Sequence, residues 1–213
     1  IKRVIDYRVA LADMLGVKIN YGKKIGLEDV RREAPDVLVV ATGSLPNIPP
    51  IPGIGGANCF TGDDVLRGAD VKGRKVAVLG GGLIGVETAE YLASNGKEVV
   101  VFEQFGEIAA ALTLTRKVFL LERMDELKIE RRVNTKIQRI ALPKIIVSSE
   151  GEEETLDGFE VVVVAAGRVA QDKLASEVKE NFPNMTVFVV GDASMPGLAL
   201  DAIYNAAETA AAI

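Results

Sequence analysis

Short apolar runs rich in valine recur along the chain and predict buried strands. Such runs cover residues 37–41, 75–79, 98–102, 160–166 and 187–190. Apolar runs of this length, without alternation of polar residues, are typical of strands buried on both faces of a parallel sheet. The pattern therefore indicates a parallel sheet at the centre of the protein.

Other segments have helical or alternating patterns. Apolar residues at helical spacing predict helices over 1–15, 27–32, 61–66, 83–94, 113–127, 172–179 and 198–213, with Thr61 or Asp63 as a cap of the third. Strand patterns are also present over 17–21, 128–133, 135–141, 144–149 and 153–156. The order of elements predicts an α/β fold of Rossmann type, with an antiparallel meander formed by the segments between 135 and 156.

Residues 44–56 are rich in proline and glycine and are predicted to be a linker or wrapping loop. Gly53, Gly55 and Gly56 lie in this segment, but no strand precedes them and no helical pattern follows at once. We interpret them as loop glycines and not as a phosphate-binding motif.

A strand, a glycine-rich turn, a helix and a second strand follow one another between Arg74 and Glu103. Gly80, Gly82 and Gly85 form the spacing G-x-G-x-x-G. The first glycine permits a tight turn, the second lets a pyrophosphate approach the backbone, and the third lets the helix pack near the strand. The helix N-terminus then directs free N–H groups at the pyrophosphate. This stretch predicts a dinucleotide site; the alternative is a turn that packs helix on sheet without a ligand.

Glu103 ends the second strand about 20 residues after the turn, where a carboxylate can accept hydrogen bonds from adenosine ribose hydroxyls. Gln104 and Phe105 follow, and the next arginine is Arg116, so a 2′-phosphate would meet a carboxylate and no evident cation. At about 4 Å that repulsion is about 1 kcal/mol in water and about 4 kcal/mol at an effective dielectric near 20. We therefore predict that NAD(H) binds about tenfold or more tightly than NADP(H). The alternative for Glu103 is a solvated acid at a strand end.

Composition narrows the possible functions. The 213 residues include 25 Lys and Arg and 30 Asp and Glu, a net charge of −5, so binding to nucleic acid or to an anionic membrane is not expected. Cys59 is the one cysteine and histidine is absent, so we expect no internal disulfide, metal site or histidine chemistry. No apolar run reaches the length of a membrane span and no signal peptide is visible, so a cytoplasmic location is expected.

Several motifs occur in a characteristic order: ATG at 41–43, P-x-x-P-G at 49–53, GGGLIGVETAEYLA at 80–93, AAGR at 165–168 and VFVVGDA at 187–193. This order, over nearly the whole chain, resembles the pyridine nucleotide–FAD oxidoreductases of the glutathione-reductase-like class. The runs GLIGVETAEYLASNGKEVVVFEQ and LLERMDELKIE are most similar to the C-terminal part of fused NADH:flavin oxidoreductases, the group of 2-enoate reductase, 2,4-dienoyl-CoA reductase and trimethylamine dehydrogenase.

The resemblance implies an NAD(H)-binding domain over 64–168, inserted between parts of an FAD-binding domain at 1–63 and 169–213. It places Thr42 and Gly43 beside FAD, Asp192 on the ribityl chain, and the helix start at 200–202 facing the flavin. Glu87 would lie near the nicotinamide, with an ordinary exposed helix acid as the alternative. The residues predicted to contact a cofactor are Gly80, Gly81, Gly82, Leu83, Ile84, Gly85, Glu87, Glu103, Gln104, Ala166, Gly167, Thr42, Gly43, Gly191, Asp192 and Ala202.

The chain departs from the pattern of that family in three ways. The first FAD G-x-G-x-x-G unit is missing before Ile1, so we expect the chain alone to hold FAD poorly. The redox Cys-x₄-Cys pair is absent, which argues against a disulfide reductase, and the FMN barrel with its iron–sulfur cluster is absent as well. Because the chain starts in what looks like the middle of a helix, we expect a piece of a longer flavoenzyme whose remainder is its partner.

The sequence therefore predicts a module that binds NADH and passes hydride to FAD, serving reduction of an enoate or enoyl-CoA C=C bond by the absent barrel domain. No side chain of the chain is required as a catalytic acid or base, and the isolated fragment is expected to be inactive. Two alternatives stay open. One is a non-catalytic ADP-binding module, which the resemblance to trimethylamine dehydrogenase implies, and the other is a truncated NADH-dependent ferredoxin or rubredoxin reductase.

Overall fold

The structure is a computed structural model that describes residues 2–213, in two compact units. Residues 2–40, 172–189 and 213 form the first unit, and residues 41–171 and 190–212 form the second. The helices are α1 (Lys2–Met14), α2 (Leu27–Glu33), α3 (Gly62–Leu66), α4 (Leu83–Ser94), α5 (Leu114–Glu126), α6 (Lys173–Asn181) and α7 (Ala199–Ala211). The strands are β1 (Val37–Val40), β2 (Ser44–Pro46), β3 (Cys59–Thr61), β4 (Lys75–Leu79), β5 (Glu98–Phe102), β6 (Glu130–Arg132), β7 (Thr135–Ala141), β8 (Lys144–Ser149), β9 (Glu152–Leu156), β10 (Val161–Val164), β11 (Arg168–Ala170) and β12 (Thr186–Val189).

A five-stranded parallel sheet organises the second unit. Its strand order is β3-β10-β4-β5-β6, and Val76 on the central strand β4 pairs with Val161 on one side and Val99 on the other. The chain runs outward from β4 through β5 to β6 and later returns to β10 on the opposite side of β4. The order of strands thus reverses between β4 and β10, which is where open α/β sheets form their ligand crevice. The predicted Rossmann-type α/β fold is confirmed.

Both faces of this sheet are covered, which explains the uninterrupted apolar runs. Val76 and Val78 face a core cluster that includes residues of α4 and Met124 of α5. Ala77 and Leu79, the alternate residues of the same strand, face a second cluster that includes residues of the meander β7-β8-β9. Since side chains alternate across a strand, a strand between helices and a second sheet is apolar at every position.

The meander is antiparallel, as predicted, with an irregularity in register between Ile137 and Arg139 on β7. Helix α3 begins after Thr61, whose hydroxyl accepts a hydrogen bond from the backbone N–H of Asp64 at 3.1 Å, so Thr61 and not Asp63 is the cap. The 44–56 segment contains a strand that the sequence did not reveal, since β2 pairs antiparallel with β11. Strand β3, at the edge of the large sheet, was also missed.

The first unit contains the parallel pair β1 and β12, with α6 packed against β12. Val39 on β1 is 44% exposed and no residue of β12 is fully buried, so the prediction that both runs are buried on both faces is wrong. The reason is that, among residues 2–213, these two strands have only each other as sheet neighbours. The predicted strand over 17–21 is also wrong. Within the part of the chain that the structure describes, no strand pairs with that segment, and both Val17 and Ile19 are exposed.

The predicted first helix is present from Lys2, while Ile1 lies outside the described residues. Nowhere between residues 2 and 213 does a helix have the length and apolar character needed to cross a bilayer.

Candidate nucleotide-binding site

A cavity of about 780 Å³ lies in the second unit, at the carboxyl ends of β4, β5 and β10. Its size is within the range of about 300 to 1,000 Å³ that is usual for small-molecule and cofactor sites. Seven of the predicted cofactor residues line it, namely Gly80, Gly81, Gly82, Glu103, Gln104, Ala166 and Gly167. Further lining residues come from β7, from the loop at 47–52 and from the segment at 105–111 that follows β5.

The three motif glycines have different surroundings. A Cβ at Gly80, whose φ is +105°, would lie 2.3 Å from the carbonyl oxygen of Ala165, and a Cβ at Gly85 would lie 1.9 Å from the carbonyl oxygen of Gly80. These two positions need glycine because the turn is tight and α4 packs close to it. A Cβ at Gly82 would have no atom within 4 Å, so the turn is open at the position where close approach of a pyrophosphate was predicted.

Helix α4 begins at this opening without a side-chain cap. Gly82 is its N-cap residue, and the first helical hydrogen bond runs from Val86 N–H to the Gly82 carbonyl oxygen at 3.0 Å. The preceding N–H groups, at Leu83, Ile84 and Gly85, therefore have no partner within the helix. No acidic residue lies in the first turn. The helix end can thus accept an anion, to which its dipole also contributes.

Glu103 is buried, with 8% of its surface exposed, and its carboxylate is held by two backbone groups. Its Oε2 accepts a hydrogen bond from Gly81 N–H at 2.7 Å, and its Oε1 accepts one from Phe105 N–H at 2.9 Å. The residue therefore braces the glycine turn, which sequence reasoning did not predict. Each carboxylate oxygen has a second lone pair, so acceptance of a ribose hydroxyl remains compatible with these bonds.

Lys136 on β7 lines the same cavity and is exposed. The expectation that no cation lies near this site is wrong. The reason is that the meander returns to the carboxyl end of β5, where Thr135 N–H donates to the Glu103 carbonyl oxygen at 2.8 Å. Among the described residues that line the cavity, Lys136 is the sole cation, and the other acid there, Glu107, is paired with Lys117.

Asn47 lines the cavity on the side of β10. Its backbone N–H donates to the Gly167 carbonyl oxygen at 2.9 Å, and its Nδ2 donates to the Ala166 carbonyl oxygen at 3.1 Å. Sequence reasoning assigned this residue to a linker. The P-x-x-P-G motif at 49–53 was the sequence signal that could have pointed to this role, because the loop that contains it forms a wall of the cavity.

The residues predicted to contact FAD lie elsewhere in the second unit. Asp192 is bonded through both carboxylate oxygens. Oδ2 accepts from the Ser44 hydroxyl at 2.9 Å, and Oδ1 accepts from Gly197 N–H at 3.2 Å. Gly191 lies against Ala202, since a Cβ at Gly191 would be 3.3 Å from the Ala202 Cβ. These residues do not line the cavity.

Arg168 connects this region to α3 and was not predicted as a site residue. Its Nε and Nη2 donate to the hydroxyl and the carbonyl oxygen of Ser44, at 2.6 and 2.8 Å, while its Nη1 donates to Asp63 at 2.7 Å. Close by in sequence, the Thr42 hydroxyl donates to the Gln171 carbonyl oxygen, and Gln171 N–H donates to the Gly43 carbonyl oxygen at 3.0 Å. Arg168 is the arginine of the AAGR motif, and that motif was the sequence feature that could have indicated this hydrogen-bond network.

Glu87 is exposed on α4 and does not line the cavity. Within residues 2–213, no group of three or more Cys, Asp or Glu side chains is arranged to hold a metal ion.

Comparison with known proteins shows which family this chain belongs to. The family model described as pyridine nucleotide-disulphide oxidoreductase matches residues 4–210. The chain belongs to this family. The resemblance inferred from the motifs is confirmed, and NAD(H) and FAD, the cofactors that it implied, are those of this family of oxidoreductases.

Individual relatives are similar over most of the chain. An NADH oxidase of Thermoanaerobacter brockii is 30% identical over 99% of the chain and 33% of its own length. A cinnamate reductase of Clostridium sporogenes is 30% identical over 92% of the chain and 29% of its own length. The solved structure of a 2-naphthoyl-CoA reductase complex is 33% identical with a TM-score of 0.84, covering 95% of this chain and 30% of that one. The chain thus spans about a third of the length of these relatives.

Proposed function

We propose that this chain is the NADH-binding part of a flavin-dependent reductase, with residues 64–168 as the NAD(H) domain and residues 1–63 and 169–213 as parts of an FAD domain. When bound, NADH supplies a hydride and FAD accepts it. The contribution of the chain is to bind and orient the nucleotide. The observation that carries the proposal is the uncapped start of α4 beside the open Gly82, at the edge of a cavity of cofactor size.

The order of strands gives the proposed orientation of the dinucleotide. Its adenosine half lies toward β5, with the ribose hydroxyls at Glu103 and the adenine beyond Gln104. Its pyrophosphate lies at Gly82 and the start of α4. Its nicotinamide half lies toward β10, at Ala166 and Gly167, because the crevice at the reversal of strand order extends to both sides of β4.

The reaction of the complete protein is part of the same proposal. Similarity to proteins named cinnamate reductase and 2-naphthoyl-CoA reductase supports reduction of the C=C bond of an enoate or enoyl-CoA. The proposed partner is the remainder of a longer polypeptide, with an FMN barrel and the first FAD-binding unit. The relatives are about three times as long as this chain, which supports that proposal. The cytoplasmic location stays a prediction.

Calorimetric titration of the chain with NADH, NADPH, ADP and FAD tests the proposal. We expect NADH to bind in the micromolar range, near about −8 kcal/mol, and FAD to bind weakly. NADPH should bind more weakly than NADH because of the Glu103 carboxylate, and Lys136 on the same cavity should reduce the roughly tenfold difference expected from the carboxylate alone. If none of these nucleotides binds, the proposal is contradicted, and the glycine turn serves only to pack α4 against the sheet.

A second candidate is a non-catalytic module that holds ADP. It is favoured by Glu87, the acid predicted beside the nicotinamide, which is exposed and does not line the cavity. Equal affinity for ADP and NADH in the same titration would support this candidate, because the nicotinamide half would then contribute nothing to binding.

A further inference from the structure

The β10 side of the cavity has an apolar wall with one amide in it. The loop at 47–52 contributes three prolines and Ile51, and the end of β10 contributes Ala165, Ala166 and Gly167. Among these described residues, Asn47 is the one whose side chain can form hydrogen bonds. A flat ring carrying one polar substituent matches such a wall, since binding sites combine apolar walls with a few well-placed polar groups.

The Asn47 amide is held in place by the β10–β11 connection. Two hydrogen bonds join this residue to adjacent carbonyl groups, from its backbone N–H to Gly167 and from its Nδ2 to Ala166. Because a carbonyl oxygen only accepts hydrogen bonds, Nδ2 and not Oδ1 must face Ala166. Two groups of the amide remain for a ligand, the acceptor Oδ1 and the second N–H of Nδ2.

We propose that Asn47 recognises the nicotinamide carboxamide, with Oδ1 accepting a hydrogen bond from the carboxamide NH₂ group. The inference rests on the proposed function, because it requires the nicotinamide to lie on the β10 side. Asn47 is then a positioning residue that fixes the orientation of the ring in its plane. The glycine turn and Glu103 hold the other half of the dinucleotide and are independent of it.

The test combines an Asn47→Ala variant with three ligands: NADH, its reduced 3-acetylpyridine analogue, in which a methyl group replaces the carboxamide NH₂, and ADP-ribose, which lacks the ring. In the unchanged protein we expect the analogue to bind about three- to tenfold more weakly than NADH, the effect of one neutral hydrogen bond. The affinity of Asn47→Ala for NADH should be lower than that of the unchanged protein by the same factor. This variant should bind the analogue and NADH with equal affinity. ADP-ribose should bind both proteins equally, which also reports that the variant is folded.

Asn58→Ala is the matched control. Asn58 Nδ2 also donates to a backbone carbonyl oxygen, that of Glu160, at 3.1 Å, but the residue does not line the cavity. This variant should bind all three ligands as the unchanged protein does.

Two results overturn the role of Asn47. One is equal weakening of all three ligands in Asn47→Ala, which would mean that the residue only supports the loop, and the other is unchanged NADH affinity. A different result contradicts the proposed function itself and the inference with it: an unchanged protein that binds NADH no more tightly than ADP-ribose.

Discussion

Alanine at two glycines of the same turn is expected to affect two different properties. Gly85→Ala should lower the stability of the fold, and Gly82→Ala should lower the affinity for NADH. In Gly85→Ala the new Cβ would lie 1.9 Å from the carbonyl oxygen of Gly80 and 2.9 Å from its carbonyl carbon, whereas ordinary contact begins at 3.4 Å. Because the obstacle is backbone, no side-chain rotation relieves it, and α4 would have to move by about 1.5 Å. In Gly82→Ala the Cβ meets nothing within 4 Å, at an ordinary φ of −71°.

The magnitude for Gly85→Ala follows from what α4 packs against. Val86, Ala89 and Leu92 on this helix are at most 2% exposed, so a shift of the helix separates them from the core of the parallel sheet. Overpacking usually costs about 1–3 kcal/mol, and a clash of a new Cβ with a backbone carbonyl group belongs at or above the upper end. We expect a loss of about 3 kcal/mol or more from a total of about 5–15 kcal/mol.

For Gly82→Ala we expect the free energy of unfolding to fall by about 1 kcal/mol, because alanine is a poorer N-cap residue than glycine although its Cβ meets no atom. Its methyl group would, however, project to where a pyrophosphate approaches α4, so affinity for NADH should fall by about tenfold or more. Urea denaturation followed by circular dichroism, and calorimetric titration with NADH, measure the two effects.

The reasoning would be refuted by Gly85→Ala with a free energy of unfolding within about 1 kcal/mol of the unchanged protein. Full NADH affinity in Gly82→Ala would equally refute it, because the open position would then not lie at the pyrophosphate.

Three further predictions concern other parts of the second unit. Gly53→Ala should destabilise by about 3 kcal/mol or more, because the Cβ would lie 1.8 Å from a carbonyl oxygen of β7. Gly55→Ala, with a similar positive φ but open space around it, should cost only about 1 kcal/mol in the same urea titration, and equal losses would contradict the clash. Glu103→Ala should narrow the preference for NADH over NADPH, because the charge facing a 2′-phosphate is removed; an unchanged ratio of the two dissociation constants would mean that the acid is not at the ribose. Hydrogen bonds from Thr61 lower the pKa of Asp64 below its ordinary 3.8, so its contribution to stability is present above about pH 4 and is lost as pH falls through the folded-state value. Asp64→Asn should therefore show a smaller fall in unfolding free energy between about pH 6 and about pH 3, and an unchanged fall would exclude this origin.

Local sequence patterns determined much of this protein. The valine-rich runs, the G-x-G-x-x-G spacing and the alternation over 135–156 predicted the parallel sheet, the turn before α4 and the meander. These features depend on the backbone geometry and burial of neighbouring residues, which periodicity and turn residues report directly. The same information predicted that the glycine turn and Glu103 would belong to one site, and both line the cavity.

Only the tertiary structure decided which distant groups meet at the site. Lys136 reaches the cavity because β7 returns beside β5, and Asn47 reaches it because its loop is bonded to the end of β10. Ser44 and Asp192 are separated by 148 positions in the chain and are joined by a hydrogen bond. Patterns along a chain show which face of an element is buried but not which element covers it. For that reason the alternation over 17–21 suggested a strand that has no partner, and β1 was expected to be more buried than it is.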